Sequence, residues 1–158
     1  MIGSYLSVLE ESLKKKIAVL TKIQEANLSQ SELLKEEKLD VEQFDKYVDQ
    51  KDVYIKELEK LDEGFESLYD KIREELLGNK SIYASQIKKI QDLISEVTEK
   101  SVAIQAQESR NRDAVTAYFN REKQALGQNR KSSKVAYGYY QSMDKAIREG
   151  SSYMDMKK

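Results

Sequence analysis

Residues 41–77 read VEQFDKYVDQKDVYIKELEKLDEGFESLYDKIREELL. Phe44, Lys51, Leu58, Phe65 and Ile72 stand seven apart, and Val48, Ile55, Asp62, Tyr69 and Leu76 run beside them. Tyr47, Tyr54, Leu61 and Leu68 widen the same stripe. Two apolar rows offset by three or four and repeating by seven form a helical seam that must face other helices. The stretch therefore predicts one helix over 41–77, about 55 Å long at 1.5 Å per residue. Its start is marked by Asp40, which can accept from first-turn amides, with Gln43 completing a capping-box pattern. Its end is marked by Gly78 and Asn79, both tolerant of the left-handed conformation of a C-terminal cap.

Similar seams lie on either side. Upstream, Leu6, Leu13, Leu20, Asn27 and Leu34 recur by sevens beside Ile2, Leu9, Lys16, Ile23 and Gln30, which predicts a helix over 3–38. Downstream, Ser81 is placed to cap a helix over 81–126. Its rows are Ile87, Ile94 and Ser101, and Ile90, Val97, Ile104, Asn111 and Tyr118, with a weakening over 105–113. Short connections favour antiparallel neighbours. The fold expected is all-α: an elongated antiparallel three-helix coiled-coil bundle over residues 1–126, followed over 127–158 by a basic, Tyr- and Met-rich C-terminal tail, helical or mobile. Within that tail, a short helix is expected over about 132–150.

Composition agrees. The 158 residues include no Pro, Cys, Trp or His and only 6 Gly, and 35% of them are charged. The missing Cys and His remove the usual zinc ligands, thiol nucleophiles and disulfides, together with the side chain best suited to proton transfer near neutrality. No metal or cofactor is expected, and the chain reads as a binding protein rather than an enzyme. The net charge of −1 conceals an acidic body and a basic tail. Residues 1–120 hold 18 Lys/Arg against 24 Asp/Glu, and residues 121–158 hold 9 against 4. A dedicated nucleic-acid binder would be far more basic. No run reaches the roughly 18 apolar residues of a membrane span, and no secretory signal opens the sequence. Stable membrane insertion is not expected, and the cytoplasm is the expected location.

The two turns set a register in which Lys51 falls beside Asn27 and Glu108, and Lys16 beside Asp62. Each of these five is a polar residue in an apolar row. Their convergence predicts buried polar layers that fix register at some cost in stability. A catalytic Lys–Glu pair is the weaker reading, because no third convergent group or phosphate loop accompanies it.

By the same register, everything after about residue 120 overhangs the bundle unless it folds back. An apolar row, Val115, Tyr118, Phe119, Leu126, Tyr137, Tyr139, Tyr140, Met143 and Ile147, continues there beside the basic cluster Arg130, Lys131 and Lys134. Three readings stand: a tail helix packed on the bundle end; a partner-binding surface using aromatic and Met anchors; and, more weakly, a membrane-surface segment. For Tyr118 and Phe119 the competing expectation is that both close the bundle end against Val41 and Phe44.

The stretch from about Leu6 to Phe119 resembles the FlgN-type flagellar secretion chaperones. The resemblance is carried by LLKEE at 33–37, FDKYVDQK at 44–51, LEKLDEGF at 58–65 and SVAIQAQE at 101–108. It implies a cytoplasmic chaperone for flagellar (type III) protein export. Such a protein binds the C-terminal helices of secreted hook-associated proteins of the hook–filament junction, keeps them unassembled and delivers them to an export-gate component. It also implies partner contacts late in the third helix and in the tail, with a gate-docking tyrosine among Tyr137, Tyr139 and Tyr140. A monomer or weak dimer is expected. The alternative is a coiled-coil adaptor or self-assembling scaffold without a secreted client.

Overall fold

A computed structural model describes residues 2–126, with side chains as far as Lys123. It consists of α1 (Ile2–Leu34), α2 (Val41–Gly78) and α3 (Ala84–Leu126), with no strand among the described residues. The three run up, down and up. Lys16 of α1 meets Asp62 of α2 and Asn27 meets Lys51, so these two helices are antiparallel. Gln86 of α3 meets Gly3 of α1 and Asn111 meets Asn27, so α1 and α3 run parallel. The short helix expected over 132–150 lies outside the described residues.

The seams read from the sequence form the core. Leu6, Leu9, Leu13, Leu20 and Ile23 of α1 pack in one cluster with Phe44, Val48, Ile55, Leu58, Phe65 and Ile72 of α2 and with Ile90, Ile94, Val97 and Ile104 of α3. Burying each such side chain fully is worth roughly 1.5–3 kcal/mol, which isolated helices of this length cannot obtain. The packing is unequal, however. Both α2 and α3 pack closely on α1, but among the described residues no Cα of α2 comes within 8 Å of one in α3. α1 is the shared spine.

Helix ends depart from expectation in three places. α1 stops at Leu34 rather than 38, and the amides of Lys35 and Glu36 turn back to the carbonyls of Glu32 and Leu33. The run Lys35-Glu36-Glu37-Lys38 has nothing to bury, whereas Leu39 is buried and pins the corner to the core. Asp40 caps α2 as its sequence suggests, its Oδ1 accepting from the Gln43 amide at 3.0 Å. At the other end of α2 no left-handed residue is used. Asn79 sits at φ −130°, its amide donates to the Leu76 carbonyl, and its Nδ2 donates to the Glu75 carbonyl at 2.7 Å. Side-chain capping by Asn therefore does the work a glycine turn was expected to do. α3 begins at Ala84, three residues after Ser81, because residues 79–83 form a turn in which Ile82 and Tyr83 donate to the Asn79 carbonyl. The Tyr83 carbonyl, rather than the Ser81 side chain, takes the first helical amide, that of Ile87.

Candidate functional site

Four parts of the surface and interior depart from plain coiled-coil packing, and they lie at different heights along the bundle. In the interior, Lys51 of α2 is fully buried, with its Nζ donating to Asn27 Oδ1 at 2.7 Å and to Glu108 Oε1 at 3.0 Å. Asn27 is held from both sides. Its Nδ2 donates to Gln107 Oε1 at 3.3 Å, and its backbone carbonyl accepts from Asn111 Nδ2 at 3.1 Å. The layer thus ties α1, α2 and α3 together through a single ammonium. Burial pushes the Lys51 amine down to about 8, and the neighbouring Glu108 carboxylate opposes that shift. One turn along α1 from Asn27, Gln30 is also fully buried, its Nε2 reaching the Phe44 carbonyl at 3.5 Å.

A second polar layer lies nearer the start of α1. Lys16 Nζ and Asp62 Oδ1 are 2.6 Å apart, both side chains largely buried. The weakening over 105–113 in the apolar pattern is now explained: Glu108 and Asn111 occupy seam positions, and Gln107 flanks them. Gln107 is the member of this network that the heptad reading passed over, since it stands outside the apolar rows.

The third part is the end of the bundle where α3 overruns α2. Val115 and Tyr118 are buried in the same cluster as Leu39 and Phe44, and Phe119 and Val41 pack against it half-buried. Tyr118 and Phe119 meet edge to face at 5.4 Å, with the Arg121 guanidinium 6.0 Å from the Tyr118 ring. This corrects the expectation of a free apolar row from Val115 onward. The corner at 35–44 folds inward on Leu39, so the first two members of that row close the core. Beside this corner, burial and then the charge of Asp49 raise the Asp45 carboxyl. Leu126 ends α3, its side chain outside the described part. Tyr137, Tyr139, Tyr140, Met143 and Ile147 lie outside the described residues, as does the basic cluster Arg130, Lys131 and Lys134.

The fourth part is at the opposite end. There the gap between α2 and α3 opens into a groove of about 260 Å³, floored by Leu6 and Leu9 and walled by Tyr69 and Leu77 on one side and Ile87 and Ile94 on the other. Lys80 and Gln91 are its polar lining residues. Nothing in the apolar pattern announces it, because heptad spacing tells which face of a helix is buried and not how far apart two partners stand. A shallower depression between α1 and α2 lies over Gly64, where an added Cβ would meet nothing within 4 Å, but Glu11, Lys15 and Lys60 border it.

Among the described residues no group of three or more His, Cys, Asp or Glu is placed to hold a metal ion, and no helix is long and apolar enough to cross a membrane. Protein-family models, curated proteins and solved structures, searched with this chain, return no match.

Proposed function

We propose that this chain is a binding protein of the flagellar export-chaperone kind, similar to FlgN. On this reading it holds C-terminal helices of hook-associated proteins in the cytoplasm and presents them to the export gate. The observation that supports it most is where the core ends. Among the described side chains, which run to Lys123, Val115 and Tyr118 are the last buried apolar residues of α3, and Phe119 packs against them half-buried. The sequence that follows carries Leu126, Tyr137, Tyr139, Tyr140, Met143 and Ile147. Aromatic and Met side chains beyond a finished core are suited to a partner's helix. The client surface proposed is accordingly shifted along the chain, to Phe119 and the residues after it.

A self-assembling scaffold would need a continuous apolar stripe on the outside of the helices. Among the described residues, the exposed Val8, Leu28, Val53 and Val102 stand singly and Leu77 and Ile82 share one corner, so they form no continuous stripe along the helices, which favours the chaperone reading. The test is calorimetric titration of the full chain with a C-terminal peptide of a hook-associated protein from the same genome. Saturable one-to-one binding is expected, weakened at least thirtyfold in Tyr139→Ala/Tyr140→Ala/Met143→Ala at about 2 kcal/mol for a central anchor. Helicity should stay constant by circular dichroism. Unchanged affinity in that variant would remove the tail from the client surface, and absence of binding by the unaltered chain would remove the chaperone reading.

A further inference from the structure

The groove at the α2–α3 turn lies at the other end of the molecule from the proposed client surface, and it poses a separate question. Its floor belongs to the spine helix, and its two walls belong to helices that keep apart. A helix laid into it would pack on α1, α2 and α3 at once and turn three helices into four, an arrangement with interaxial distances of about 8–10 Å. The apolar surface also continues past the groove. Leu77 is 48% exposed on its wall, and Ile82 is 71% exposed in the turn that closes this end. Unlike the solitary valines elsewhere, these two stand five residues apart in one corner beside an apolar slot.

Charge then narrows the occupant. Lys80 lines the mouth, and among the described residues no carboxylate lies within ion-pair distance of it. A cation at the rim of an apolar slot selects a partner with an apolar face and an anion beside it. A second copy of this chain related by a two-fold axis would bring its own Lys80 to the same place, like charge against like.

We propose that this groove is a docking slot for an amphipathic helix of a partner protein, apolar along one face and carrying a carboxylate at the level of Lys80. The apolar anchors enter between Tyr69 and Ile87 at i, i+3 and i+4 spacing, and the acidic residue meets the ammonium at the turn. Leu77 and Lys80 are exposed, so changing them leaves the core intact.

Two fluorescein-labelled, 18-residue helical peptides test this on the full chain by anisotropy. Both carry Leu at i, i+3, i+4 and i+7; one has Glu at the end of the stripe and the other has Lys. The unaltered protein should prefer the Glu peptide by about two- to fivefold, the size of an exposed ion pair. Lys80→Glu should reverse that preference, and Leu77→Lys should abolish binding of both peptides with helicity unchanged. The triple tail variant used above should bind both peptides normally, which separates this slot from the client surface. The proposal is overturned by absence of binding, by equal affinity for the two peptides in all variants, or by loss of binding in the tail variant. It is also overturned if sedimentation shows a dimer that Leu77→Lys returns to monomer, since the occupant would then be a second copy.

Discussion

Lys51 and Lys16 occupy equivalent kinds of position, each a lysine in an apolar seam facing a carboxylate on another helix, yet the bundle treats them differently. Lys51 has no exposed surface, and its ammonium is shared between Asn27 of α1 and Glu108 of α3. Lys16 is paired to Asp62 of α2 at 2.6 Å, and the Asp62 side chain keeps 11% of its surface in water. Taking two charges out of water costs several kcal/mol per ion, and the attraction between them returns this only when hydrogen bonds complete the shell. In the Lys51 layer the ammonium gains one further hydrogen bond, to Asn27, which Gln107 and Asn111 hold in place. The Lys16 layer has access to solvent instead. One seam therefore carries two lysines in two settings, and the Lys51 layer joins all three helices.

Breaking each pair from the carboxylate side should separate the two cases. Glu108→Leu leaves the Lys51 ammonium buried with no route to water, and urea unfolding should show a loss of about 3–5 kcal/mol. Asp62→Leu removes a counter-charge of Lys16 in a layer partly open to water, where its four-carbon stem can carry the ammonium outward. The same assay should give about 1–3 kcal/mol. Equal losses would mean that solvent reaches both layers alike.

A third test is one of pH. The Lys51 amine titrates near 8 in the folded chain, below its ordinary 10.5. Between those values the unfolded chain holds the extra proton, so stability climbs as pH rises, by at most about 1.4 kcal/mol per unit. Below pH 8 the lysine is charged in both states and contributes no slope. Lys51→Met should flatten the rise between about pH 8 and 10.5 when the two chemical-denaturation profiles are subtracted. A difference profile without slope there would show that the folded amine is not depressed.

The sequence carried the register well and the boundaries poorly. Lys51, Asn27 and Glu108 could be brought to one height because the corners at 39 and 79 fix where each helix turns and the rise per residue does the rest. The ends of α1 and α3 were less legible. Whether Lys35-Glu36-Glu37-Lys38 stays helical depends on Leu39 finding the core, and whether Ser81 caps depends on Asn79 having already bound Glu75 and Leu76. That Tyr118 and Phe119 close the bundle end against Val41 and Phe44 was one of two open readings, and spacing alone could not choose between them, since the inward fold of the 35–44 corner is a tertiary event. The groove was invisible because spacing along one helix holds no information about the distance between two others.

That α3 docks on α1, and only reaches α2 through long side chains such as the Lys51–Glu108 pair, bears on the order in which a growing chain takes shape. The first two helices can close as a hairpin while the third is still being made, but one flank of α1 then waits in water for a partner more than eighty residues downstream, as Gln86 is from Gly3. Lys51 leaves the ribosome 57 residues ahead of Glu108, on the order of 3–10 seconds at about 5–20 residues per second. Throughout that interval the ammonium remains hydrated and keeps the nascent hairpin from sealing its middle. The last helix to emerge both supplies the counter-charge and covers it, so the dehydration of this layer is deferred until the whole bundle exists.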